Sequence, residues 1–125
     1  MTVLIDTSVF IDYLRGHLGA GEVLENERSI APLHASEITR LEILSGMKLR
    51  DEGMTRALFS TVIWHSVDAQ VAEIAGELGR RWLPSYRSID SADLAIAATA
   101  VQLDARLITC NVKHFPMFSP LNAPY

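Results

Sequence analysis

The sequence predicts an α/β domain with a mainly parallel sheet of four or five strands and helices on both faces. Short apolar runs that suit strands alternate with longer stretches that repeat their apolar residues at helical spacing. Such alternation is typical of parallel sheets. No repeat, low-complexity tract or linker interrupts it. A chain of 125 residues has the length of one ordinary domain, so we expect residues 1–125 to fold as a single domain.

The first predicted strand spans residues 2–6 and the first helix spans residues 8–15. Val-Leu-Ile, three apolar residues typical of a buried parallel strand, runs directly into Asp6. The threonine and serine that follow are good helix caps. Asp6 is therefore predicted at the carboxyl edge of the sheet, where open α/β folds bind ligands. A carboxylate at this position could equally serve as a cap for the helix.

The middle of the chain contains a second acidic residue of interest, Glu42. The elements predicted for this middle part of the chain are a helix over 18–27, a short strand over 29–31 stopped by Pro32, a helix opened by Ser36, a helix over 51–61 and a strand over 62–67. Glu42 lies beside Leu41 at the edge of the inward stripe of its helix. Glu37 and Arg40 already supply the outer face, and Arg40 is not placed to neutralise Glu42. We therefore favour an inward role for Glu42 over a solvated one.

The last third of the chain adds two helices and a final strand. Asp68 is placed to cap the first helix, and Asp90 to cap an alanine-rich helix that can pack close to its neighbours. Asp93 then falls at the third helical position, where an acid favours the helix dipole. The final strand spans 106–109 and leads to Asn111, a common turn former.

Composition excludes several classes of protein. No apolar run approaches the roughly 20 residues of a membrane span, and Asp6 interrupts any signal peptide, so we expect a soluble cytoplasmic protein with no membrane partner. Cys110 is the only cysteine, and the four histidines lack the spacing of zinc ligands. A net charge of −4 argues against simple electrostatic wrapping of nucleic acid, but not against an enzyme that acts on it.

Asp6, Glu42, Asp93 and Asn111 together suggest one chemistry, although each has a local structural explanation. Three carboxylates and an amide at one sheet edge would repel each other without a cation. Mg²⁺ or Mn²⁺ prefers such oxygen ligands and makes a bound water acidic enough to attack a phosphodiester. We expect Asp6 and Asp93 to bind the ion, Glu42 to ligate it or orient the water, and Asn111 to contact a water on the ion. Ser8 is placed to support Asp6 through its hydroxyl.

Other enzymatic interpretations of Asp6 fail on the residues around it. A phosphatase of the haloacid-dehalogenase type needs a second aspartate two residues later, where this chain has Ser8. Asp6 comes too early to be the phosphorylated residue of a receiver domain. The chain has no glycine-rich nucleotide-binding loop and no nucleophile elbow. Asp6 is thus predicted to be a metal anchor and not a nucleophile.

Four segments of the chain resemble, in order, the motifs of the PIN-domain family. They are residues 4–12, residues 36–42 with Gly46, residues 93–100, and residues 107–111 with Phe115. The length and the Asp-Thr-Ser opening are similar to VapC-type toxins. This resemblance implies a three-layer α/β/α domain and a homodimeric endoribonuclease that depends on Mg²⁺ or Mn²⁺. It also implies an antitoxin that docks in a groove beside the acids and places a basic side chain among them. The family's acids correspond to Asp6, Glu42 and Asp93, and its fourth position to Asn111.

Two departures from the family pattern affect the expected site. The fourth position carries the amide of Asn111 where many relatives have an aspartate, which favours one firmly held ion. Cys110 stands where arginine is frequent, so Arg80, Arg81 or Arg87 would have to supply a phosphate contact. Two rival interpretations stay open: a PIN-like interaction module without catalysis, and an RNA-processing nuclease outside toxin–antitoxin systems.

Overall fold

The computed structural model describes residues 1–125 as a four-stranded sheet between two layers of helices, which confirms the predicted three-layer α/β/α class. The strands are β1 (Val3–Ile5), β2 (Leu33–Ser36), β3 (Val62–His65) and β4 (Arg106–Ile108). The helices are α1 (Thr7–Leu14), α2 (Leu18–Ile30), α3 (Glu37–Gly46), α4 (Glu52–Phe59), α5 (Ala69–Trp82) and α6 (Ser91–Leu103). No helix is both long enough and apolar enough to cross a membrane.

All neighbouring strands pair in parallel, in the order β3-β2-β1-β4. The central strand β1 pairs through Leu4 with His34 on one side and Leu107 on the other. Because parallel strands end at the same edge, the segments that follow β1, β2 and β4 meet there. This topology brings the beginnings of α1 and α3 and the turn after β4 to one edge of the sheet.

Each face of the sheet has its own apolar cluster. One cluster joins Val3 and Ile5 of the sheet to Phe10 of α1 and Leu24 of α2. The other packs α6 against the opposite face, and all residues from Ala95 to Ala100 are buried. Since most of these side chains are alanine, α6 can approach the sheet and α5 closely, as expected from the sequence.

The second strand lies later in the chain than the sequence suggested. The prediction of a strand over 29–31 is wrong: α2 continues to Ile30, and β2 begins at Leu33. Pro32 disfavours a helical conformation for the residue before it. Ala31 accordingly is extended, with φ −158° and ψ 162°. Pro32 therefore ends a helix and does not end a strand. The strand over 62–67 is also shorter than expected, because β3 ends at His65.

Candidate active site

Asp6 follows β1 and caps α1 at the carboxyl edge of the sheet. Its side chain is only 3% exposed. Its Oδ2 accepts hydrogen bonds from the Ser8 hydroxyl at 2.7 Å, from the Thr109 hydroxyl at 2.7 Å and from the Ser8 backbone N–H at 3.3 Å. All three bonds fall on Oδ2, so Oδ1 has no hydrogen-bond donor within the protein. The cap and the ligand interpretations of Asp6 are therefore compatible, because each uses a different oxygen.

Glu42 is held close to Asp6 by the intervening residue Thr7. The Thr7 hydroxyl donates to Oε1 of Glu42 at 2.6 Å and lies 2.9 Å from the hydroxyl of Thr39. Both threonines are buried, and Glu42 is partly exposed. Arg40 pairs with Glu37 and, as the sequence indicated, does not neutralise the charge of Glu42. A charge-assisted hydrogen bond thus fixes Glu42 at the end of β1.

Asp93 occupies the first turn of α6 and is 8% exposed. It forms a capping box with Asp90: the Asp93 backbone N–H donates to Oδ1 of Asp90 at 2.8 Å, and the Asp90 N–H donates to Oδ2 of Asp93 at 3.1 Å. Burial raises the pKa of Asp93 to about 6, and the charge of Asp90 contributes to the rise. The Asp90 N–H and His114, whose Nδ1 lies 3.1 Å from Oδ2, oppose it. The predicted cap is thus confirmed, and the buried carboxylate carries incompletely compensated charge.

The turn after β4 connects Asp6 with Asp93. Thr109 is fully buried, donates to Asp6 and accepts a hydrogen bond from the backbone N–H of Asn111 at 2.9 Å. The Asn111 carbonyl accepts from the backbone N–H of His114, which places the His114 ring beside Asp93. The side chain of Asn111 is exposed and makes no hydrogen bond within the protein. Of the four predicted residues, Asn111 is thus held only through its backbone.

The structure links all four predicted residues through a chain of short contacts. Thr7, Thr109 and His114 supply these links, and the sequence interpretation assigned them no role in the site. Thr7 lies 35 residues from Glu42, and Thr109 lies 103 residues from Asp6, so no local pattern indicates either pairing. The Asn-x-x-His spacing of the last turn is visible in the sequence, but it indicates only loop closure.

The oxygen donors of this site fit Mg²⁺ or Mn²⁺. No three His, Cys, Asp or Glu residues are close enough together to form a full protein cage for a metal. Mg²⁺ does not need such a cage, because it usually takes one or two carboxylates and keeps several waters. Oδ1 of Asp6 has no donor, and the raised pKa of Asp93 indicates a carboxylate that a cation would stabilise. These two residues are the best candidates for direct ligands.

Comparison with known proteins places the chain in a family. Residues 3–116 match the PIN domain model. The chain is 44% identical over 126 residues to Ribonuclease VapC19 of Mycobacterium tuberculosis, with 98% of both chains covered. It is 34% identical over 123 residues to Ribonuclease VapC10 of the same organism, with 98% of this chain and 92% of the relative covered.

Solved structures agree with this assignment. A toxin–antitoxin complex from Klebsiella pneumoniae contains a chain with TM-score 0.83 and 30% identity, covering 99% of this chain and 98% of that one. A chain of VapBC2 from Rickettsia felis, bound to a DNA fragment from its promoter, shares the fold with TM-score 0.80 at 23% identity and covers 98% and 97% of the two chains. The present chain therefore belongs to the PIN-domain family and, within it, to the VapC type.

Proposed function

We propose that this protein is the ribonuclease toxin of a toxin–antitoxin pair and that it hydrolyses RNA phosphodiester bonds with the help of Mg²⁺ or Mn²⁺. Its whole-length similarity to proteins named ribonuclease VapC supports the activity. The observation that carries the metal-dependent mechanism is the contact chain that joins Glu42, Asp6 and Asp93 at one sheet edge. This arrangement offers negatively charged oxygens to a cation, and a bound cation could in turn bind a phosphate.

The residues of the site divide into ligands and the groups that hold them. Asp6 and Asp93 would hold the ion, and Glu42 would either ligate it or orient the attacking water. Ser8 and Thr109 hold Asp6 through Oδ2, and the Thr7 hydroxyl holds Glu42. Asn111, whose side chain is exposed, would contact a water on the ion. When bound, the ion makes a water molecule more acidic and neutralises charge that develops on the phosphate.

Replacing Asp6 by alanine tests this proposal. We expect Asp6→Ala to lower the rate of RNA cleavage by about a thousand-fold, or about 4 kcal/mol in activation free energy, because it removes an anchor of the ion. The measurement is cleavage of labelled RNA with Mg²⁺ or Mn²⁺ and again with chelator. Asp68→Asn is a matched control, since it also removes one negative charge and asparagine caps α5 equally well. A folded Asp6→Ala protein that cleaves at the parent rate would contradict the proposal.

A non-catalytic interaction module is the second candidate. The exposed amide at Asn111 and the absence of a cluster of three acidic ligands favour it. Calorimetric titration with Mn²⁺ separates the two candidates. Failure to bind Mn²⁺ at millimolar concentration, together with no RNA cleavage either with the metal or with chelator, would favour the module.

We also propose an antitoxin partner and a homodimer. Solved neighbours described as toxin–antitoxin complexes support the antitoxin. We expect it to place a basic side chain among the carboxylates and thus to weaken metal binding, which titration of the free and the bound protein with Mn²⁺ measures. Unchanged metal affinity would contradict this.

A small antitoxin gene directly upstream distinguishes a toxin from an RNA-processing nuclease. Sedimentation of the purified chain tests the homodimer.

A further inference from the structure

A cavity of about 410 Å³ extends from Glu42 away from the sheet edge. It lies between α1, α3 and the turn that leads into α4. Its wall is apolar at Ile11, Leu14, Ile43 and Met47. Its remaining lining residues are mostly polar or charged: Arg15, Glu42, Gly46, Lys48, Arg50, Asp51 and Thr55. Because Glu42 lines the cavity, the cavity adjoins the candidate active site at that carboxylate.

Three cations of this cavity have no acidic partner. The ion pairs of the protein involve Arg28, Arg40, Arg106 and His114, and none involves Arg15, Lys48 or Arg50. All three side chains are exposed. Arg15 directly follows α1, and Lys48 and Arg50 lie in the turn between α3 and α4. Because Glu42 and Asp51 also line the cavity, three cations and two acids give it a formal charge of +1. In a chain with a net charge of −4, this is a local reversal of the overall charge.

We propose that this cavity binds the RNA strand next to the phosphodiester that is cleaved, with Arg15, Lys48 and Arg50 as its phosphate-binding residues. This inference rests on the proposed ribonuclease activity. Proteins bind single-stranded nucleic acid through a positive groove that follows the phosphates and through surfaces that pack against the bases. Arg15, Lys48 and Arg50 supply such a positive groove. The side chains of Ile11, Leu14 and Met47 supply an apolar surface for a base or sugar.

The position of the cavity favours RNA over an acidic peptide as its occupant. A strand whose reacting phosphate lies beside Asp6 and Glu42, and which runs toward α3, brings a neighbouring nucleotide to the cavity that Glu42 lines. The cations of this cavity could supply the phosphate contact that the sequence analysis assigned to Arg80, Arg81 or Arg87. Arg80 lines a different cavity with Ser91 and Leu94. The phosphate contact expected in place of Cys110 is thus assigned to residues before α4.

The test compares two variants that each remove two positive charges. Lys48→Gln/Arg50→Gln changes the cavity, and Arg28→Gln/Arg106→Gln changes cations that are already paired with glutamates elsewhere. Both variants and their parent carry Asp6→Asn to prevent cleavage. Binding of a labelled random-sequence single-stranded RNA is followed by fluorescence anisotropy over a range of salt concentrations. Circular dichroism verifies that each protein is folded.

We expect the slope of log affinity against log salt concentration to fall in magnitude by about 0.7 for each phosphate that the protein no longer neutralises, hence by about 1.4 for the cavity variant. This corresponds to about 25-fold weaker RNA binding at about 0.1 M salt if the affinities of the variant and its parent become equal near 1 M salt. The control variant should retain the slope and affinity of its parent. In otherwise active protein, the cavity variant should raise KM and leave kcat nearly unchanged.

Each other outcome contradicts a specific claim. If the cavity variant binds RNA with the slope and affinity of the control, the inference about the cavity is wrong while the proposed function stands. If it retains RNA binding but loses affinity for the antitoxin, the cavity is a protein-binding surface and the inference is again wrong. If the parent itself neither binds nor, with Asp6 restored, cleaves RNA, the proposed function fails and the inference fails with it.

Discussion

Asp93→Asn is expected to abolish RNA cleavage and to stabilise the metal-free protein at neutral pH. The buried carboxylate has a pKa of about 6 in the folded protein, against 3.8 for an unperturbed aspartate. The unfolded chain therefore loses this proton first as the pH rises, and folding stability decreases between the two values. Above pH 6 the ionised Asp93 carboxylate lowers the free energy of unfolding by its full amount, on the order of 1 to 3 kcal/mol. Asparagine removes the charge and with it this cost.

The pH dependence of stability distinguishes this explanation from a general effect of the substitution. The free energies of unfolding of parent and Asp93→Asn, measured in chelator, should differ little at acidic pH and diverge as the pH rises to about 6. Mg²⁺ should then raise the stability of the parent, because it binds only the folded state, and should have little effect on the variant. Asp68→Asn is the control, and a variant less stable than the parent at every pH would contradict the argument.

Asp93 also illustrates how far the sequence could predict the site. Its spacing from Asp90 and its place in the first turn of an alanine-rich helix were sufficient to predict Asp90 as the cap and Asp93 as an acid at the third helical position, because both depend on neighbouring residues only. Its burial and its contact with His114 depend on how α6 packs against the turn after β4. Local patterns cannot indicate such packing. The same residue thus has a predictable role in the helix and a role in the site that required the fold.

The misplaced second strand has a similar origin. Ile30 and Pro32 allowed two interpretations, since proline can end a strand or follow a helix. The pairing of Leu33 with Val3 and Val62 decides between them, and these partners are about 30 residues away in each direction. The predicted fold class was correct despite this error, because it depended on the alternation of strands and helices and not on the residues at which they begin and end.

Thr109→Val is expected to weaken both the fold and the site, although it changes one buried hydroxyl to a methyl group. The hydroxyl donates to Oδ2 of Asp6 and accepts from the backbone N–H of Asn111. Valine has nearly the same shape but leaves the N–H without its partner and Asp6 with one donor fewer. We expect the free energy of unfolding to fall by about 2 to 3 kcal/mol, measured by denaturant unfolding.

The effect on the site separates a positioning role for Thr109 from a purely structural one. Groups that hold a metal ligand typically change metal affinity by about 10- to 100-fold when removed. Thr109→Val should therefore raise the Mg²⁺ concentration required for half-maximal cleavage by about this factor. Thr109→Ser keeps the hydroxyl and should retain the parent's metal dependence, even if removal of the methyl group costs some stability. Equal metal dependence in both variants would mean that the hydroxyl supports the fold alone and that the two Ser8 donors suffice to hold Asp6.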